Sequence, residues 1–156
     1  MKKIILVAAL VLGFAAAAVA QPRAIGIRLG MSTEATYQHT LGENFIEANV
    51  GIFSYNALNA SASYNWMVAR PDWTSRGEWG VYAGPGVAMG FCFDILNPGF
   101  NVSAMGQVGL EYSFWFPLQL SVDLRPQVGV LFGNRVQFYT DGLYGFVPCI
   151  SARYKF

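Results

Sequence analysis

With 156 residues, 54% of them hydrophobic and only 12% charged, the chain is long enough for one domain and poor in the charge that keeps an ordinary surface in water. Ten Lys and Arg against nine Asp and Glu argue against a nucleic-acid partner or a polybasic membrane contact, since both need a positive excess. Two cysteines without CxxC spacing and one histidine without an HxxxH partner give no metal or cofactor motif.

The opening MKKIILVAALVLGFAAAAVAQ places two lysines before a brief apolar run and small residues at Ala18 and Ala20. That order predicts a secretory signal peptide over 1–20, cleaved after Ala20, and Gln21 in place of Cys does not indicate a lipoprotein anchor. What remains is one domain, 21–156, with eight basic and nine acidic residues.

From there period two runs almost to the end, and no apolar stripe at helical spacing is long enough for a helix. Eight strands are predicted: 24–31, 33–41, 45–53, 57–68, 79–91, 101–114, 118–131 and 143–156. AIGIRLGMSTEATYQHT keeps one parity throughout and also reads as one long strand; the break at GMST follows from the even strand count and the 9–11-residue spans of membrane barrels. LGEN, SYN and WFP read as tight turns, and ARPDWTSRGE, CFDILNPG and GNRVQFYTDG as longer loops.

One face of each strand carries no charge, as at Ile25, Ile27 and Leu29, at Ile46, Val50 and Ile52, and at Leu120, Val122 and Leu124. The other carries Arg28, Glu34, Glu47, Gln107, Glu111, Asp123, Arg125, Arg153 and Lys155. Of the seventeen charged residues in 21–156, eight lie on that polar face and nine in turns and loops. A lipocalin-like barrel or sandwich would alternate too, with its apolar face inward. Three features favour the reverse. The polar face is rich in glycine and alanine, as at Gly80, Gly84, Gly86, Ala88 and Gly90, which suits the inside of a narrow barrel. Aromatic residues gather at two levels of the strands, as interfacial girdles do, with Trp66, Trp79, Tyr112, Phe114, Trp115, Tyr154 and Phe156 at one and Phe53, Tyr55, Phe91, Phe93, Phe100, Phe132 and Tyr144 at the other. The apolar face has nothing in the chain to cover it, whereas lipid would solvate it. The expected fold is all-β: a transmembrane up-and-down antiparallel β-barrel of eight strands, preceded by the cleaved signal peptide.

With its leader, its eight alternating segments and its terminal ISARYKF, the chain resembles the small outer-membrane β-barrels of the OmpA-transmembrane, OmpX and OmpW kind. YAGPGVAMGF, GQVGLEY and FPLQLSVDLRPQVGV are more similar still to small barrel-only proteins. The resemblance implies export through the periplasm to the bacterial outer membrane, with outer-membrane lipid and the insertion machinery as partners, and a monomeric state. It also implies an insertion signal in the last strand, here Ile150, Tyr154 and Phe156. Short loops set the chain apart from its best-known relatives and argue against adhesion or receptor binding.

No enzymatic activity is expected: some small barrels hydrolyse lipid with His, Ser and a carboxylate, but His39 lies on the outward parity without an obvious Ser or Asp partner. Cys92 and Cys149 read as small interior side chains without a bond. The inward charges balance four to four, Arg28, Arg125, Arg153 and Lys155 against Glu34, Glu47, Glu111 and Asp123. A narrow barrel has room inside for side chains only, so a salt-bridged plug is expected over a pore, which would favour one sign of charge. Structural, non-enzymatic function follows. The alternative is a transport barrel passing small apolar molecules or lipid through a lateral opening near Pro126 and Pro148, where proline cannot donate to a ladder; a harmless bulge at each proline is the simpler account. The two prolines lie level if the last loop centres near Gln137.

Overall fold

Alternating segments joined by short turns pair most simply with their chain neighbours, and the computed structural model does this throughout. It describes residues 23–53, 57–93, 98–133, 135–140 and 142–156; the expected signal peptide and Tyr55 lie outside these ranges. The strands are β1 (Arg23–Leu29), β2 (Thr33–Leu41), β3 (Asn44–Phe53), β4 (Ala57–Ala69), β5 (Glu78–Cys92), β6 (Gly99–Ser113), β7 (Leu118–Leu124), β8 (Gln127–Phe132), β9 (Val136–Thr140) and β10 (Cys149–Lys155). A 3-10 turn spans Gly142–Phe146.

All pairings are antiparallel, and the sheet closes where β1 meets β10 in six residue pairs, from Ala24 with Lys155 to Leu29 with Ile150. Both β7 and β8 pair with β6, and in both the partner numbers add to 232, from Ser113 with Gln119 to Phe100 with Phe132. They are two halves of one stave, interrupted at Arg125 and Pro126. An eighth stave consists of β9, the 3-10 turn and β10. The architecture is a closed, eight-staved up-and-down barrel, with the chain broken at 30–32 where the amide of Gly30 donates to the carbonyl of Ser32 over 3.1 Å.

The last stave differs from expectation. Residues 136–140, read as loop, form β9, and within 143–156 the strand begins only at Cys149. Between the pairs Asp123–Cys149 and Val128–Thr140 the seventh stave has four residues, 124–127, while the eighth has eight, 141–148. The four surplus residues wind into the 3-10 turn, helped by Gly142 at φ 54° and by Pro148, which has no amide hydrogen for the ladder. One bond bridges the interruption, from the Arg125 amide to the Gly145 carbonyl at 3.2 Å. The last hairpin turns between Phe132 and Val136, not at Gln137. In the β7–β10 register partner numbers add to 272, which sets Pro148 opposite Leu124, two residues from Pro126. The prolines are offset, not level.

The expected parity holds. Ile25, Ile27, Leu29, Val50, Ile52 and Ile150 are more than half exposed on the outer face, while Arg28, Glu47, Asp123 and Arg153 are at most 3% exposed on the inner one. Rings also collect at both ends, with Trp79 4.7 Å from Tyr112 at one and Phe91 4.8 Å from Phe100 at the other.

Candidate functional site

Every second residue of eight staves points inward, and at mid-height six of those residues are charged. Arg28 on β1 donates from Nη1 to Glu34 on β2 over 3.1 Å and from Nη2 to Asp123 on β7 over 2.7 Å. Arg125 lies between the halves of the seventh stave, where its guanidinium bonds Glu47 on β3 and approaches Asp123 at 3.2 Å and Glu34 at 3.6 Å. Arg153 on β10 reaches Glu47 at 3.0 Å and donates to the hydroxyls of Thr36 at 3.1 Å and Ser121 at 2.8 Å. Three arginines and three carboxylates thus form one network across the lumen, with no net charge among the six. Partial pairing inside a protein is costly, and here all six are engaged.

The remaining predicted lumen residues are arranged around this layer. Gln107 accepts from Ser63 at 2.6 Å and donates to Glu47 at 3.4 Å, which joins it to the network. Glu111 stands apart: Gln38 and Gln119 donate to the same carboxylate oxygen over 3.4 and 2.8 Å, and among the described residues no cation lies within 4 Å of it. Lys155 shares with it a cleft of about 250 Å³ at the end of the barrel where Arg23 pairs with Phe156. Sequence reasoning missed Tyr82 and Phe45, which are 0% and 2% exposed and meet edge to face at 5.0 Å inside the barrel. Their inward parity was visible, but a search for charge passes over an aromatic residue that fills space.

Toward the other end the lumen is not filled. A cavity of about 570 Å³ lies above the charged layer, with Arg28, Glu34 and Arg125 among its lining and with Ala57, Ala88, Leu131, Val147 and Cys149 on its walls. Among the described residues β9 pairs only with β8, because β1 has already turned at 30–32. Above the Leu29–Ile150 pair the wall therefore has no ladder between the eighth stave and the first, and Met31, Gly145 and Val147 beside that interval also line the cavity.

The other candidates lie outside the charged layer. His39 lies 3.4 Å from the Tyr37 hydroxyl, on the outward parity. Cys92 and Cys149 are both free thiols and both line the cavity. Ile150, Tyr154 and Phe156 are 58%, 57% and 62% exposed on one outer face. Among the described residues no group of three or more His, Cys, Asp or Glu is placed to hold a metal ion. No helix there is long and apolar enough to cross a membrane, which says nothing of strands. Comparison with protein-family models, curated proteins and solved structures gives no match to this chain.

Proposed function

We propose that this protein is an integral outer-membrane β-barrel with a structural, non-enzymatic role, its lumen sealed to ions by the Arg28–Glu34–Asp123–Arg125–Glu47–Arg153 network. The observation that carries the reading is the inversion of burial: charged and amide side chains point into the interior while isoleucine, leucine and valine cover the outside. In water that exterior would drive aggregation; in a bilayer it needs no cover, and a closed ladder leaves few backbone groups unpaired. The dimensions agree. Twelve residues separate the outward rings Trp79 and Phe91 on β5. At ~3.4 Å per residue and a ~40° tilt, that spacing corresponds to about 30 Å along the barrel axis, the thickness of a hydrocarbon core. The test is refolding residues 21–156 into phosphatidylcholine vesicles. A compact, heat-modifiable species protected from protease supports the proposal, and a soluble protein that ignores vesicles overturns it.

A second reading, lateral passage of small apolar molecules or lipid near Pro126 and Pro148, is favoured by one observation: the cavity reaches Arg125, Gln127, Gly145 and Val147, the residues around the interrupted ladder. On this reading the route runs from the lumen sideways, because the charged layer blocks the axis. Bulky substitution at Val147 would slow uptake of an apolar dye by cells if that passage is used, and leave it unchanged if it is not.

A further inference from the structure

We infer that the cavity above the charged layer is a dead-end binding site for one neutral, single-chain amphiphile with a hydroxyl or carbonyl head, drawn from the surrounding leaflet. The inference rests on the lateral interval of the second reading but assigns it a different task, retention of a ligand in place of passage.

Size sets the first limit. About 570 Å³ falls within the roughly 300–1,000 Å³ typical of small-molecule sites, and a two-chain lipid would not fit. The walls set the second: alanine, leucine, valine and cysteine side chains offer an acyl chain an apolar lining.

Charge decides the head group. At the floor, Arg28, Glu34 and Arg125 are already engaged with one another and with Asp123 and Glu47. A carboxylate or phosphate brought there would add an uncompensated charge to a balanced set, which a confined interior penalises. The polar groups of the wall above are uncharged: Asn59, Ser61, Asn101, Gln127 and Thr140. The Gln127 carbonyl oxygen accepts from Ser103 at 2.9 Å, which orients its amide and leaves the NH2 group as a donor for a ligand oxygen. Such a wall suits a fatty alcohol or a monoacylglycerol.

The route in and the closed end follow from the topology. Above Leu29 and Ile150 no ladder among the described residues joins the first and eighth staves, so a chain lying in the leaflet has lateral access there. Beneath the floor come the network and then Phe45 and Tyr82, which leave an acyl chain no continuation.

The test uses the barrel in phospholipid nanodiscs without detergent, since detergents are themselves single-chain amphiphiles. Dodecanol carrying a terminal diazirine is photolysed and the labelled residues are mapped by mass spectrometry, beside dodecanoate carrying the same group. Saturable labelling of Ala57, Leu131 or Val147 is expected, lost in Ala88→Trp and at least tenfold weaker with dodecanoate. Labelling confined to lipid-facing residues such as Ile27 and Val122, in a barrel that still shifts on heating, overturns the site while leaving the barrel reading intact. Equal labelling by the two probes overturns the neutral head, and label on Phe45 or Tyr82 overturns the dead end. Should Ala88→Trp fail to fold, excess unlabelled dodecanol on the native barrel replaces it: competition supports the site, and undiminished cavity labelling overturns it.

Discussion

The guanidinium of Arg28 donates to Asp123 over 2.7 Å, although their strands are not neighbours and β10 runs between them. A bond of this kind crosses the lumen instead of following the wall, so it ties staves that no backbone ladder connects. Asp123 also receives Arg125, and Glu47 receives both Arg125 and Arg153, so removal of one member leaves others without compensation. Replacing both partners of such a pair with apolar groups is a milder change than deleting one.

This asymmetry separates two glutamates of equal chemistry. Glu47→Gln leaves Arg125 and Arg153 facing a neutral amide, and about 3–5 kcal/mol of stability should be lost, the usual result of breaking a buried pair. Glu111→Gln replaces a carboxyl that has no cation within 4 Å among the described residues, and should cost less than about 1.5 kcal/mol, the scale of a single hydrogen bond. Urea titrations of the two variants in vesicles compare them directly. Similar losses would show that Glu47 is not a hub.

A lipid-facing position should respond to charge and not to shape. Val122 is 46% exposed on the outer face near the middle of β7. Val122→Arg is expected to destabilise the barrel in vesicles by roughly 2–4 kcal/mol, and Val122→Leu to be nearly neutral. Arginine one residue earlier, at Ser121, acts otherwise: Ser121 is 2% exposed and accepts from Arg153, so the new cation would meet an existing one. Equal stability of Val122→Arg and Val122→Leu would remove lipid from the outer face.

Most of the wall was legible because strand parity is a strict code: Ile25 and Arg28 declare opposite faces, and each hairpin fixes the register of the next, as with Glu111 opposite Ser121. What was not legible lies where that code is interrupted. Residues 136–140 are strand-favouring in type but short and set between turn residues, and their pairing depends on Val128–Phe132 of the previous stave, while Gly142 with Pro148 punctuates a turn without stating how many surplus residues the turn must absorb. Parity set the six members of the charged layer on the inner face, but it set Glu111 and Lys155 there too, which lie apart from the layer, and it gave none of the connections. Arg125 to Glu47 depends on which staves face each other across the lumen, and Arg28 to Asp123 on side-chain reach past β10, neither of which periodicity carries.

The end of the chain offers a test of assembly separate from stability. Phe156 is 62% exposed, so its ring adds little to the interior, yet its backbone exchanges two bonds with Arg23, at 3.0 and 2.8 Å. Deleting the residue removes ring and bonds together, whereas Phe156→Asp keeps the bonds and changes only the outward side chain. If the ring belongs to the insertion signal, Phe156→Asp should refold in vitro nearly as well as the native chain but accumulate in cells as a degraded periplasmic species. Normal outer-membrane yield of Phe156→Asp would rule the ring out of assembly.

Ion conductance gives the sharpest view of the seal. Arg125 alone contacts all three carboxylates of the charged layer, and it also lies at the base of the cavity, where the seventh stave is interrupted. The native barrel in a planar bilayer should carry no steady current, since the arginines and carboxylates span the lumen at mid-height and neutralise each other. Arg125→Ala removes the one arginine that reaches all three carboxylates and leaves Glu34, Glu47 and Asp123 facing only Arg28 and Arg153, an excess of one negative charge in a widened passage. Two consequences are expected together: a loss of about 3–5 kcal/mol, read as a lower temperature for the heat-induced mobility shift, and small flickering currents that favour cations over anions. Arg125→Lys should restore the charge but not the three-way reach, and so suppress the cation preference more fully than it restores stability. A large, stable, ion-selective current from the native protein would mean that the charged layer lines a pore and does not close it.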